Sequence, residues 1–595
     1  FAFGFSGPLV SSLNEYSLLL AASWTPWILL GALAAWRRGG RAVPLTGLAI
    51  AAQALACEPT MLACTAAVVA AGWIAGLVRG EERRARLARG AAIAAIAGLV
   101  SAVQLVPAAL WVPHTDRGAA LPFRESAAWW SLHPERLHEL LAPLAHGNAM
   151  ADRRAAFGGG RLGDAGYPYV PRLYLGWIPL LLAPLAWRAR WGKTALALGA
   201  GGFVLALGHH LPGYEGIHRA VPLLWITRYP EKFTLFGALG IATALALAAS
   251  AARGARAARM AAAVTALFLL AATGSLALGT AGVPPSGITP EQEALRSAAI
   301  LRALATGAAA AAIGALLLSA RCRRAAVVLL PLAALLDVAS STREVARTRP
   351  AADDSRPPRI LAEAPGLREA EVLPLVELRP DAFFLGEGDP RAAMQEALYP
   401  YSGLRWGVRY GAADDVARTM SVASARRRRA AIEGILGGSP DAARSSGIGA
   451  VVSVGELRRP GLREAARVRS GAVEIVAYDL VPPPPGLVRF EGGGARVAWV
   501  ERAPHRIEVS VDAPEAGAIV VAREAVPGWS ALLDGRTAAV GGDPLGLIRV
   551  EVPAGRHAVV LRHAPPGLVI GLGLGLLGLA AAAAGPVLAA RRAGA

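Results

Sequence analysis

The sequence predicts a polytopic α-helical membrane protein with an α/β plus β-sandwich domain inserted before its last transmembrane helix. Three observations predict it. Apolar residues make up 54% of the chain and charged ones only 17%, too few polar groups to cover a soluble body of 595 residues. Apolar runs long enough to cross a bilayer, or nearly so, recur along the chain. Arginine clusters separate alternate runs, as cytoplasmic loops do. That clustering assigns the net charge of +18 to membrane loops, so nucleic acid is not an expected partner.

The runs lie at 17–36, 43–57, 60–78, 91–112, 173–187, 194–208, 233–252, 260–280, 298–319, 325–340 and 567–590, about eleven spans. Each is expected to be a helix, because backbone groups in hydrocarbon must pair within their own segment. Those at 43–57 and 194–208 are short, which suits tilted partners, re-entrant segments or helices completed by flanking residues.

Orientation follows from the basic loops. Arginines at 37, 38 and 41 mark one side. The clusters at 79–89, 188–193, 253–259, 321–324 and 591–592 recur on that side at every second loop. These loops are therefore expected in the cytoplasm. The opposite loops are then exoplasmic: the turn Cys57-Glu58-Pro59-Thr60, segments 113–172 and 209–232, a short stretch at 282–297, and a domain over 341–566. They hold most of the His, Trp, Tyr and acidic residues, so chemistry is expected on the outer face.

Residues 1–8 carry no charged leader, and the chain is expected to begin inside a longer protein. Cys57, Cys64 and Cys322 form neither a disulfide framework nor a metal spacing.

The domain divides at Pro482-Pro483-Pro484-Pro485. Before the break, 341–485 reads as an α/β region, with buried strands at 372–378 and 448–454 and helices at 390–397 and 425–436. After it, 486–566 alternates in short segments at 495–500, 506–511, 518–522, 547–552 and 558–562, which predicts an antiparallel sandwich. Leu533-Asp534-Gly535-Arg536 is a hairpin turn, since Asp-Gly accepts the paired positive φ of type I′. Residues 567–595 return as a final span and tail.

The order Val526-Pro527-Gly528-Trp529, Leu533-Asp534-Gly535, Val552-Pro553-Ala554-Gly555-Arg556-His557, Ala564-Pro565-Pro566 and a terminal apolar helix resembles the C-terminal end of bacterial YfhO-family membrane proteins. Upstream, Ser23-Trp24-Thr25-Pro26, Glu58-Pro59, Val103-Gln104-Leu105-Val106-Pro107 and Arg228-Tyr229-Pro230-Glu231-Lys232-Phe233 are similar to that family too, so the resemblance covers most of the chain. It implies a GT-C-like fold and a membrane glycosyltransferase of the bacterial cytoplasmic membrane. Such an enzyme takes sugar from a polyprenyl-phosphate donor and passes it to a cell-envelope glycan or lipid on the outer face. The class carries its catalytic acid in the first exoplasmic loop. The chain reads as starting after that loop, so the base is expected upstream of residue 1. A divalent cation, Mg or Mn, would need that acid to complete its ligands.

Under this reading, Arg228 and Lys232 at the mouth of a span, with His209 and His210 at the end of the preceding one, are candidates for the donor phosphate. Lys232 stands out because only it and Lys193 are lysines in an arginine-rich chain. The plainer reading is interfacial anchoring, with Tyr229 in an aromatic belt. Glu231 and Glu58 are secondary acidic candidates, and Glu58 before Pro59 also reads as a helix cap. Arg117 is a further ligand candidate, in a loop with Arg124, Glu125, Trp129, Trp130, His133 and Glu135. The Trp pair there would suit stacking on a sugar ring, but reads better as part of an interfacial helix. Asp164, Tyr167 and Tyr169 lie in a Gly-rich stretch suited to a lid. Trp529 and Asp534 read as core and turn. The histidines show no metal spacing. Two other classes fit the same chain: a transporter for envelope lipid or polymer, and a non-catalytic glycan-binding scaffold. Against transport, no internal repeat and few intramembrane charges are evident.

Overall fold

Helix fills most of the long apolar runs, two of them with a proline inside, Pro26 and Pro107. The computed structural model describes residues 2–78, 80, 82–115, 123–124, 127–147, 162–164, 168–221, 224–225, 227–251, 263, 266–267, 269–271, 273–274, 289–317, 323–342, 345, 351–376, 390–412 and 420–593. Five helical stretches among them are long and apolar enough to cross a membrane: Tyr16–Arg38, Pro59–Val78, Arg83–His114, Pro230–Ala248 and Pro290–Ile313. Such helices are consistent with contact with a lipid bilayer. Shorter apolar helices occupy Ala42–Leu55, Gly192–Ala206, Leu332–Thr342 and Leu568–Ala584. The expected span at 260–280 lies largely outside the described residues.

The chain forms two units, one of residues 1–101, 122–348 and 574–595, the other of 102–121 and 349–573. In the first, helices Tyr16–Arg38, Ala42–Leu55 and Pro59–Val78 pack together. Fully buried Gln53 ties them: its amide nitrogen reaches Ala21 O at 2.8 Å and the hydroxyls of Thr25 and Thr65 at 3.0 Å. Between apolar helices, such hydrogen bonds and close small-residue packing hold what the hydrophobic effect cannot. Helices Gly192–Ala206 and Thr234–Ala251 use the second device. A Cβ on Gly202 would lie 2.3 Å from the nitrogen of Gly237, and one on Gly240 the same distance from that of Gly199. Two backbones touch there because no side chain intervenes.

The expected span at 173–187 is not one helix. Residues 172–176 are irregular, and Gly176 takes φ 95°. A six-residue helix Trp177–Leu182 follows, then a 3-10 stretch Ala183–Arg188. Together these rise only roughly 20 Å, short of a bilayer core. Pro184 removes a backbone donor that a continuous helix would need in mid-run. Asp337 of helix Arg323–Thr342 starts the short helix instead, accepting from Trp177 N at 2.6 Å and from the Tyr174 hydroxyl at 2.6 Å.

The second unit contains the expected β-rich region. Strands β1 Glu371–Leu375, β2 Arg409–Tyr410, β3 Ile448–Val454, β4 Leu462–Ser470 and β5 Val473–Leu480 form a mixed sheet ordered β2-β1-β3-β5-β4. Helix Val422–Gly437 belongs to the same region, capped by Ser421 Oγ, which accepts from Ser424 N at 3.0 Å.

Nine strands follow: β6 Val488–Glu491, β7 Arg496–Ala503, β8 Arg506–Ala513, β9 Gly517–Glu524, β10 Trp529–Leu533, β11 Arg536–Ala538, β12 Gly541–Gly542, β13 Leu547–Val552 and β14 Gly555–His563. They make two sheets, β11-β10-β14-β8-β7 and β12-β13-β9-β6, with every pairing antiparallel. Alternate residues Ile507, Val509 and Val511 of β8 meet Ile519, Val521 and Val550 of the other sheet in one apolar core. Asp534 and Gly535 take φ 48° and 79° between β10 and β11, the paired positive values of the expected turn.

Candidate functional site

The site is built around the chain entering helix Thr234–Ala251. Proline at 230 opens a 3-10 turn Pro230–Phe233, and Tyr229 before it is held at φ 61° and ψ 79°. That left-handed backbone is costly for a bulky aromatic residue and persists only where surroundings enforce it. The enforcement comes from Glu231, which has no solvent exposure. Its carboxylate accepts from Arg136 Nη1 at 2.9 Å and from Val170 N at 2.6 Å, and its own N–H donates to Trp130 O at 3.1 Å. Arg136, also buried, forms two further bonds with Glu139 at 3.0 and 3.1 Å and one with Val170 O at 2.7 Å. Three separated segments are thereby locked in register.

Each locked segment presents an aromatic ring. Trp130, Tyr169 and Tyr229 form a triangle with centroids 5.3, 4.7 and 5.2 Å apart. Trp130 also takes a positive φ, 56°. Both predicted cations converge on the triangle: the Arg228 guanidinium lies 4.8 Å from the Tyr229 centroid, and the Lys232 ammonium lies 5.0 Å from Tyr229 and 5.3 Å from Tyr169. Lys232 is buried and pairs with buried Glu58 at 2.8 Å. The other oxygen of Glu58 accepts from Thr60 N at 3.2 Å, so the expected cap exists alongside an ion pair that was not expected. Cys57, just before it, has φ 60°.

Glu15 completes the cluster. It precedes helix Tyr16–Arg38 and is exposed overall, yet the protein around its carboxyl raises its pKa, with Lys232 opposing and Glu58 adding to the rise. Tyr169 is pushed well above the usual tyrosine value by burial first, then by Glu15 and Glu58. Among the three, Glu58 and Glu231 are buried and engaged by cations, while Glu15 is exposed as a residue though burial of its carboxyl is the main cause of its raised pKa.

His209 and His210 belong to a neighbouring group. Their rings lie 4.1 Å apart, and His133 is 5.0 Å from His210. Ser131 joins the group to the aromatic triangle through its neighbour Trp130: its hydroxyl accepts from His209 N at 3.1 Å, and its N–H donates to Asp164 at 3.1 Å. Burial, then His209 and His133, lower the pKa of His210 to about 4, so it is neutral at pH 7.

Arg117, Glu125 and Tyr167 lie outside the described residues. Arg124 is described and contributes to the field at His210. The expected interfacial helix at Trp129 and Trp130 is absent: residues 127–130 are a turn, and Trp130 is buried in the aromatic triangle. Glu231, a secondary acidic candidate, is fully buried and held by Arg136 and Val170 N. Sequence reading missed Arg136, Glu139, Glu15 and the aromatic triangle. Only the Arg136-Glu139 spacing, three residues apart, hinted at a pair.

No group of three or more His, Cys, Asp or Glu among the described residues is placed to hold a metal ion. The Mg or Mn allowed for by the resemblance therefore finds no fitting ligand set here. No protein-family model, curated protein or solved structure matches the chain.

Proposed function

We propose that this chain is a membrane glycosyltransferase of YfhO-like, GT-C type, in a bacterial cytoplasmic membrane, using a polyprenyl-phosphate sugar on the outer face. The observation that carries the reading is the convergence of Arg228 and Lys232 on the Tyr229 ring at the head of an apolar helix. A lipid-linked phosphate needs cationic donors at that depth, and an aromatic wall suits the sugar or the first isoprene unit. With one ammonium proton directed to Glu58, Lys232 keeps two donors for phosphate oxygens.

In this mechanism an acceptor hydroxyl of the envelope glycan or lipid attacks the anomeric carbon. The bond from that carbon to the phosphate oxygen breaks, and the phosphate leaves with the electron pair, stabilised by Lys232 and Arg228. The hydroxyl proton passes to Glu15, the exposed residue of the three, whose raised pKa suits a general base. In this proposal Glu15 takes the part of the base, an alternative to the acid expected upstream of residue 1.

The test is transfer from a polyprenyl-phosphate sugar by the full-length protein and its Lys232→Ala, Arg228→Ala and Glu15→Gln variants. Lys232→Ala and Glu15→Gln are each expected to lower turnover by about 100-fold or more, the scale of a lost electrostatic or general-base contribution. Wild-type turnover in both Arg228→Ala and Lys232→Ala would remove the site.

A further inference from the structure

A second constellation lies on the other side of the short segment that supplies Arg136. Helix Pro290–Leu317 starts with a reciprocal cap: Thr289 N donates to the Gln292 side chain at 2.9 Å and Gln292 N donates to Thr289 Oγ at 3.2 Å. One turn further, Arg296, Ile300 and Ala303 share a face, at spacings of four and seven residues. Ile300 and Ala303 pack on Ala142 and Ala145. Arg296 lies there within electrostatic reach of His138 and His146, whose rings stack at 5.9 Å.

Arg296 is only 5% exposed, yet its Nε and Nη1 have no hydrogen-bond partner. Its nearest anion, Glu293, is 3.7 Å away, close enough for charge but too far for a hydrogen bond. A buried guanidinium left in this state keeps its desolvation penalty uncompensated unless something accepts from it. The adjoining carboxylates do not: Glu139 is held by Arg136, and Glu135 lends its carbonyl, not its carboxylate, to His146 Nε2 at 2.9 Å. His138 is exposed, so the place is open to ligand from outside. Both imidazoles sit below their usual pKa, by desolvation first, with Arg296 lowering and Glu139 raising each of them and Glu135 raising His138.

We propose that Arg296, with His138 and His146, binds a phosphate group, carried either by a free phosphate or by a lipid headgroup. A planar fork of N–H donors beside two imidazoles suits a multi-oxygen anion rather than a cation or a neutral sugar. The site is distinct from the Lys232 cluster and does not rest on the sugar-transfer reading. Segment Pro134–Leu140 presents Arg136 to one site and His138 to the other.

The full-length protein in detergent is titrated with inorganic phosphate, and in vesicles of phosphatidylcholine with or without phosphatidic acid, following thermal unfolding. Stabilisation by inorganic phosphate assigns the free anion. Stabilisation by phosphatidic acid alone assigns the headgroup. Arg296→Gln is expected to weaken whichever response is seen by about tenfold or more, the loss of a charge-assisted pair. Glu293→Gln removes the competing carboxylate and is expected to tighten binding several-fold, an effect that misfolding cannot imitate. A wild-type protein indifferent to both probes overturns the proposal, as does Arg296→Gln at wild-type affinity or Glu293→Gln that fails to tighten.

Discussion

In the helical unit the Arg136 and Lys232 clusters bury and pair their charges, while in the β-sandwich charge lies mostly outside an apolar core. Arg136, Glu139, Glu231, Glu58 and Lys232 are each no more than 8% exposed at the side chain. In the sandwich, pairs such as Arg556–Asp512 and Arg502–Glu508 are largely exposed, and Ile507, Ile519, Ile548 and Val559 carry the interior. Exposed pairs contribute little, whereas removing one member of a buried pair strands its partner. The helical unit is therefore the more brittle towards loss of a charge, and the sandwich the more brittle towards loss of a methyl group.

Glu231→Ala should show the largest effect. It leaves buried Arg136 short of a partner and frees Val170 N and the aromatic triangle, with an expected loss of about 3–5 kcal/mol. Thermal unfolding in detergent checks it, and a loss below that of an exposed charge would end the contrast. Ile519→Ala in the sandwich should come next, at about 2–5 kcal/mol, because a fully buried side chain leaves a cavity between the sheets. Gly240→Leu drives a side chain into the backbone of Gly199 and should cost about 1–3 kcal/mol or more, read from the same unfolding curves.

The smallest effect is at the β10–β11 turn, where Asp534 accepts from Ala558 N at 2.8 Å and meets His557 Nδ1 at 2.7 Å. The Ala558 N–H, then His557, lower the Asp534 pKa, so its contribution is present above the unfolded value and lost as pH falls through the folded one. Asp534 raises the His557 pKa, so that contribution is complete below the unfolded value and lost as pH rises through the folded one. The pair is thus strongest between about pH 4 and 6.5, the two unfolded values. The difference in melting temperature between wild type and Asp534→Asn should be greatest in that window. A difference flat across pH would exclude the pair as a contributor.

The same contrast explains what could be read from sequence. The sandwich was legible because its core repeats every second residue and Asp534-Gly535 states its own turn. Lys232 was legible as a lone lysine among arginines. Its partner was not, since Glu58 lies 174 residues away, and Arg136 lies 95 residues from Glu231. No local pattern encodes such pairs, and nothing beside Glu231 in the sequence marks it as a buried partner of Arg136. Hydropathy also misjudged 173–187, because it registers apolar side chains and not the positive φ at Gly176 or the donor missing at Pro184.

Asp337 carries an implication for how the polypeptide is assembled. The amide of Trp177 and the hydroxyl of Tyr174 depend on an acceptor supplied 160 and 163 residues later. While the ribosome is still making the intervening chain, this half-helix has no means of settling in apolar surroundings. It must wait near water or beside a helper protein, and Asp337 serves as the late latch that lets it dock.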